Sequence, residues 1–399
     1  MRTFCLLLLN RVILALLGRG RAEARQTESA IKAWQSSLQL YRELARAWPE
    51  VYRPYVASTA NNLALAQRDL NALEHAQASL QEALAIEREL ARARPALYRR
   101  RVAAALNNLG LIQRDLKALD AARASYEEAL AIKREFVRAR PGLYRLGLAM
   151  TLNNLGVVQH ELHDLEEAQA CFEEGLEIYR ALARERPEVY RPYLAGILIS
   201  LGNVQRDLGA PEAARGSLEE GLEIYRALAR VRPEVCLSEV ACALTNLGSA
   251  QCDSNALEAA QRSFGEGLGI YRALARVRPE VYRPYVATAL NNLGVAQRGL
   301  NALRAARESL EEALAIRREL ARARPEVHRS DVAGTLNNLG LVQRDMNALE
   351  EARANLGEGL EIYRELARVR PDLYRADLAM ALENLGTVQR GPGGNRGKV

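Results

Sequence analysis

The sequence predicts an all-α α-solenoid, a right-handed superhelix of antiparallel helix pairs. Three observations carry the prediction. A leucine recurs at Leu63, Leu109, Leu155, Leu201, Leu247, Leu293, Leu339 and Leu385, each 46 residues after the last, with no insertion between. Within each period the apolar residues follow the 3.6-residue spacing of a helix face. A proline closes each period, at Pro49, Pro95, Pro141, Pro187, Pro233, Pro279, Pro325 and Pro371. A unit with this register cannot bury its apolar face alone, so it stacks on its neighbours.

The stretch from Leu106 to Arg140 serves as the example. Leu106, Leu109, Ile112 and Leu116 form one face of a first helix. A break follows at Asn71, Lys117, His163, Gly209, Asn255, Asn301 and Asn347 in successive units. Gly and Asn tolerate the left-handed backbone that ends a helix, so the position reads as a tight turn. Lys117 and His163 fit it less well and would be strained, or the helix ends differently there. A second helix then buries Leu119, Ala122, Tyr126, Ala129, Leu130 and Phe136, and stops at Pro141. The pattern predicts helices of about 16 and 22 residues, with the proline in the loop between units.

Small residues recur where two helices must approach. One column holds Gly110, Gly156, Gly202, Gly248, Gly294, Gly340 and Gly386, with Ala64 as the exception. Others hold Ala76, Ala122, Ala168, Ala214, Ala260, Ala306 and Ala352, and Ala83, Ala129, Gly175, Gly221, Gly267, Ala313 and Gly359. Glycine inside a helix costs about 1 kcal/mol against alanine, so its recurrence implies a close backbone crossing. Leucine in place of Gly202 should force the helices apart.

Leu-Gly, a turn, Ala, an aromatic or Leu, and Ala again stand here as Leu109, Gly110, Ala122, Tyr126 and Ala129. This order resembles the tetratricopeptide repeat over roughly residues 17 to 390. The Asn-Asn-Leu-Gly opening looks most like the long-repeat branch, of the kinesin-light-chain and nephrocystin sort. It also looks like the arrays attached to bacterial signalling ATPases and caspase-like proteases. The unit exceeds the family's usual length of about 34 residues by about twelve. Gln113 and its equivalents replace the family's first-helix aromatic. The resemblance implies a curved array whose first helices line a concave groove.

The chain divides into an N-terminal segment (1–27), the solenoid (28–390) and a Gly-rich, basic tail (391–399) expected to be disordered. Residues 5–17 read either as the first helix of a worn terminal repeat or as the apolar core of a signal peptide. Near-copies at Val51–Leu73 and Val281–Leu303 point to duplication. The 233–278 unit is the most divergent, a drifted repeat or a local partner site. The last first-helix, 371–390, lacks a second helix after it. It would act as a cap, or mark the chain as part of a larger protein, and it offers a surface for self-association.

No constellation carries catalysis. The four histidines are His75, His160, His163 and His328, read as surface or turn residues. His160 and His163 share a helix-like spacing but lack the Cys or carboxylate partners of a metal site. Cys5, Cys171, Cys236, Cys242 and Cys252 make an odd, unpaired set that fits a reducing compartment. No phosphate-cradling glycine loop, nucleophile elbow or zinc-protease helix occurs. The chain is therefore read as a non-enzyme without cofactor or metal. It is placed in the cytoplasm, or outside the cell if residues 1–24 are a signal peptide. No segment is long and uninterrupted enough to predict membrane insertion.

Three polar columns remain as candidate binding residues. The first is Asn62, Asn108, Asn154, Asn246, Asn292, Asn338 and Asn384, with Ser200 in the gap. One residue earlier stand Asn61, Asn107, Asn153, Asn291 and Asn337. Next come Gln67, Gln113, Gln159, Gln205, Gln251, Gln297, Gln343 and Gln389, followed directly by Arg68, Arg114, Arg206, Arg298, Arg344 and Arg390. An amide can grip a peptide backbone whatever the peptide's sequence. The same amides could instead form a ladder between repeats, the reading preferred for the glutamines. Arg114 shares a helix face with Asn107, so the pair suggests a groove for an acidic extended peptide. Asp69, Asp115, Asp207 and Asp345 follow four of the arginines and temper that charge.

The net charge is +6, from 55 basic and 49 acidic residues. Much of the basicity sits at the C-terminal ends of second helices, where it suits the helix dipole. A protein or peptide partner is the leading reading. A nucleic-acid partner is the alternative, without aromatic interleaving or a base-reading motif to favour it.

Overall fold

The computed structural model describes residues 20–389. Both readings of residues 5–17, and those of Arg390 and the tail, lie outside the described residues. Sixteen α-helices, and no strand, make up the described part. They are α1 (Gly20–Ala47), α2 (Pro49–Asp69), α3 (Leu73–Ala93), α4 (Pro95–Asp115), α5 (Leu119–Ala139), α6 (Pro141–Glu161), α7 (Leu165–Glu185) and α8 (Pro187–Asp207). There follow α9 (Pro211–Val231), α10 (Pro233–Asp253), α11 (Leu257–Val277), α12 (Pro279–Gly299), α13 (Leu303–Ala323), α14 (Pro325–Asp345), α15 (Leu349–Val369) and α16 (Pro371–Gln389). The chain divides into two compact units between Tyr190 and Arg191. Within each unit consecutive helices pack as antiparallel neighbours, the α-solenoid arrangement.

Both helices of a pair are 21 residues long, unlike the expected 16 and 22. The difference lies in the proline. Pro95 and its equivalents are the first residue of a helix rather than a loop. Proline suits that place because its missing N–H would be unpaired there and its φ is already helical. A single residue, such as Arg94 at φ −139° and ψ 74°, joins one pair to the next. That backbone lies outside the helical region, which a residue before proline avoids.

The turn inside each pair matches the reading of Asn71 and its equivalents. All seven lie in the left-handed region: Asn71, Lys117, His163, Asn255, Asn301, Asn347 and Gly209, the last at φ 73°. Lys117 and His163 do not end the helix differently; they adopt φ 61° and 64°. At the first turn Asn71 N–H donates to Arg68 O and Ala72 N–H to Gln67 O, both at 2.8 Å. This pair of bonds is the Schellman motif, and it caps the helix without a side chain.

First helices pack on both sides. In α4, Val102, Ala103, Ala105, Leu106, Leu109 and Ile112 are all buried, whereas α5 buries one stripe through Ala122, Tyr126, Ala129 and Leu130. The two faces meet at the glycine column. A Cβ on Gly110 would lie 2.8 Å from the Tyr126 ring, and one on Gly156 2.8 Å from Phe172. One on Gly202, Gly294 or Gly340 would lie 2.6 Å from Cγ of Leu218, Leu310 or Leu356. At Gly202 the backbone oxygen of Ala214 is also only 3.1 Å away, and backbone does not yield. Gly386, with no second helix after it in the described residues, would meet nothing within 4 Å.

The two glycines therefore respond oppositely to one methyl group. Gly202→Ala lowers stability by about 1–3 kcal/mol through overpacking. Gly386→Ala leaves it unchanged or raises it by up to about 1 kcal/mol through helix propensity. Urea unfolding of the full chain distinguishes them.

Candidate functional site

The asparagine columns are brought together across successive first helices. Asn108 Nδ2 donates to Asn61 Oδ1 at 2.9 Å, Asn338 to Asn291 at 3.1 Å, and Asn384 to Asn337 at 2.9 Å. The second asparagine of one repeat thus reaches the first of the repeat before. Asn62 and Asn154 are half-buried and stand outside these bonds, as does Asn153. Asn291 also donates to Asn292 at 3.3 Å, and Asn246 faces the Cys242 sulfur at 3.9 Å. At Ser200 the hydroxyl turns back to Gly196 O at 3.2 Å.

The glutamines do not join repeats. Six of them accept a bond from the second helix of their own pair, twelve residues on. Ser79 donates to Gln67, Ser125 to Gln113, Ser217 to Gln205, Ser263 to Gln251 and Ser309 to Gln297, at 2.7–2.9 Å. Asn355 takes the serine's place on Gln343 at 2.7 Å. Cys171 stands at the matching position for Gln159, and the Gln159 carbonyl is the one left buried without a partner.

The arginine row is largely neutralised. Arg68 Nε lies 2.5 Å from Asp115, and Arg298 Nε 2.6 Å from Asp345. Arg344 pairs with Asp345 at 2.8 Å, and Arg206 with Asp207 at 2.9 Å and Asp253 at 3.6 Å. Arg114 sits 3.7 Å from Asp115 and 4.0 Å from Glu161. Asp115 and Asp345, each following an arginine, reach back to the arginine of the preceding repeat. Together they form a half-exposed ionic ladder, each pair worth under about 1 kcal/mol.

Two adjoining pockets open beside the asparagines in the unit that ends at Tyr190. One, of about 170 Å³, is lined by Asn61, Asn62, Glu87, Arg101 and a wall of alanines. The next, of about 280 Å³, is lined by Asn107, Asn108, Lys133, Phe136, Tyr144 and Arg100. They share Ala104, and their linings correspond one period apart: Asn61 with Asn107, Asn62 with Asn108, Glu87 with Lys133.

Glu87 and Lys133 were not singled out by the sequence reading, although a signal exists. Their column holds tyrosine at Tyr41, Tyr179, Tyr225, Tyr271 and Tyr363, and a charge only at Glu87, Lys133 and Arg317. Glu87 is 4% exposed. Its Oε1 lies 3.5 Å from Arg101, and its Oε2 has no partner. Burial raises its pKa, against the opposing pull of Arg101. Lys133 Nζ donates to the Thr151 hydroxyl, whose oxygen is 2.9 Å from Asn107 Oδ1. Desolvation lowers its pKa from 10.5 to about 8. Arg317 repeats the arrangement eighteen residues before Thr335, at 2.5 Å.

Cys171, Cys236, Cys242 and Cys252 are free thiols, so Cys236 and Cys242 form no disulfide. His163 is a turn residue as expected, whereas His328 is buried, with Nδ1 3.3 Å from Asp331. No group of three or more His, Cys, Asp or Glu among the described residues could hold a metal ion. No described helix is long and apolar enough to cross a membrane.

The helix pairs, the left-handed turns and the glycine crossing define the chain as an α-solenoid of helical hairpins. Residues 101–181, 286–321 and 332–367 match models of the tetratricopeptide repeat. None of the curated proteins matches it in sequence. Among solved structures, apo RapI is 15% identical with a TM-score of 0.56, covering 78% of this chain and 99% of its own. A Rap protein complexed with competence and sporulation factor is 14% identical, with a TM-score of 0.51 over 92% and 96% of the two chains. A signal-transduction ATPase with numerous domains and a tetratricopeptide repeat sensor, from Pyrococcus horikoshii, is 13% identical with a TM-score of 0.56. That match covers 92% of this chain and 53% of the other. At these identities the likeness is one of fold.

Lys133 makes stability depend on pH. Its folded pKa of about 8 lies below the unfolded 10.5, so between them the unfolded chain holds more protons. Stability therefore rises with pH across that window. Lys133→Met stabilises the chain at pH 7 by about 1–3 kcal/mol. The gain shrinks above pH 8 and is absent near 10.5, as paired urea titrations would record.

Proposed function

We propose that the chain is a non-catalytic scaffold that takes an extended peptide or a partner helix on its first-helix face. In tetratricopeptide arrays the corresponding face lines a concave groove, as the resemblance implies. The observation that carries the reading is the pair of adjoining pockets, each opening beside an Asn-Asn pair. Amides can bond a backbone N–H or C=O, while the pockets receive side chains. The Asn-Asn-Leu-Gly opening supports placing it in the long-repeat branch of the family. The complex of a Rap protein with competence and sporulation factor supports ligand binding by this fold.

Asn61, Asn107, Asn291 and Asn337 bind chiefly by holding their neighbours in place. Asn62, Asn153 and Asn154 stand outside the ladder and are free to contact a ligand, Asn62 and Asn154 in the second-asparagine column. Asn108, Asn338 and Asn384 do both. Arg68, Arg114, Arg206, Arg298 and Arg344 keep the ladder in register and give an acidic partner only a secondary attraction. Their paired state also weighs against the nucleic-acid alternative, which needs basic groups free to meet phosphates.

Panning a random twelve-residue peptide library against the full chain tests the proposal. The parent enriches peptides, and the double variant Asn62→Ala, Asn154→Ala loses most of that enrichment with its thermal midpoint unchanged. Asn108→Ala instead lowers stability by about 1 kcal/mol, because it strands the Asn61 carbonyl. Absence of any enriched peptide, or equal enrichment by the double variant, contradicts the proposal.

A further inference from the structure

The two adjoining pockets have the same backbone frame and opposite charge. Their asparagines and second-helix charges correspond one period apart, while the second pocket is larger, about 280 against 170 Å³, and adds Phe136, Leu143 and Tyr144. The difference in charge lies at one position on the second helix. It is Glu87 in the first pocket and Lys133 in the second, where most repeats hold tyrosine.

Glu87 is a carboxylate 4% exposed with one oxygen unpartnered. A buried carboxylate in this condition is under-compensated, and a cation brought to it would be held by a charge-assisted bond. Arg101 does not complete it. That guanidinium touches Oε1 alone, at 3.5 Å, and lies 5.4 Å from the centre of the Tyr98 ring. The approach to the carboxylate is walled by Ala57, Ala83, Ala104 and Ala105, with Asn61 and Asn62 beside it. Small apolar walls ending in a carboxylate and amides match a narrow aliphatic stem carrying an ammonium. The volume of about 170 Å³ accommodates a lysine side chain.

The neighbouring pocket answers with the reverse. Lys133 has no carboxylate within ion-pair distance among the described residues, and desolvation is the sole cause acting on its ammonium. Its one partner is the Thr151 hydroxyl. Asn107 and Asn108 add amides to the same lining, and Arg100 stands at it as well. Each of these can donate to a carboxylate.

We propose that these two pockets read an opposite-charge pair in one bound peptide, a lysine seated on Glu87 and an acidic side chain seated on Lys133. The proposal rests on the reading of the first-helix face as a peptide site and adds its sequence preference. The ion-paired arginine row contributes no such preference, since its charges are already matched. In the ligand-free protein buried Glu87 and half-buried Lys133 each lack a full counter-charge. The peptide supplies both at once, so a ligand with only one of the two binds less well than a ligand with both.

The test pans the same random twelve-residue library against the full chain, Glu87→Gln and Lys133→Met. Tyrosine variants at both sites serve as controls for folding, since tyrosine occupies this column elsewhere. Thermal melts confirm that each variant is folded. The parent should enrich peptides with a basic and an acidic residue at a fixed separation. Glu87→Gln and Glu87→Tyr should lower the enrichment of the basic residue by about tenfold and leave the acidic preference intact. Lys133→Met and Lys133→Tyr should do the reverse. Enriched peptides without a charge pattern, or a pattern that no variant alters, overturn this inference and leave the peptide site standing. No enrichment by the parent overturns both.

Discussion

From Gly110 to Gly340, hairpins close where a glycine on the first helix meets a large side chain on the second. No methyl group fits between, since a Cβ would stand 2.6–2.9 Å from the facing side chain at Gly110, Gly156, Gly202, Gly248, Gly294 and Gly340. The facing residue varies among Tyr126, Phe172, Leu218, Phe264, Leu310 and Leu356, yet the glycine does not. Close packing of the two backbones fixes how far the second helix lies from the first. The glutamine-to-serine bond reaches its partner at 2.7–2.9 Å in five pairs, in the Ala64 pair as in four of the glycine pairs.

Stacking then uses the same few contacts again and again. Second helices are tied to their successors by Arg88 on Glu128, Arg134 on Glu174, Arg226 on Glu266, Arg272 on Glu312 and Arg318 on Glu358. These pairs are exposed and individually weak, so their part is to hold register rather than to supply stability. Buried apolar clusters supply the latter, each joining one pair to the next, as Leu80, Leu84, Val102, Leu106 and Ile112 do. In an array built from copies, individual chemistry shows only where a column departs from its own rule. Glu87 and Lys133 are such departures, and the two pockets form around them.

Much of this could be read from the sequence because a repeat states each structural need several times over. Seven residues at the turn column suffice to mark a left-handed position even when Lys117 and His163 break the composition. A recurrent glycine inside a helical pattern announces a close crossing. Helix lengths were less legible, since a proline that begins a helix and one that interrupts a loop look alike in sequence. The partners of Gln113 and Arg68 were hidden for a related reason. Periodicity tells which residues share a face but not whether a side chain reaches within its own pair or across to the next. The charged column was visible as an exception among tyrosines. Its burial and the pocket beside it were not, because they depend on helices 46 residues apart.

The central claim is that register, set by the glycine crossing and repeated every 46 residues, specifies how the helices stack. Two internal deletions test it directly. Removing residues 262–307 deletes 46 residues and rejoins one second helix to the next in phase. Removing residues 263–307 deletes 45 and turns everything after the junction by about 100° around the helix axis. Circular dichroism and urea unfolding of the two chains give the answer. The account predicts that the 46-residue deletion keeps its helicity per residue and a cooperative transition, while the 45-residue deletion loses both. Equal behaviour of the two chains would contradict it.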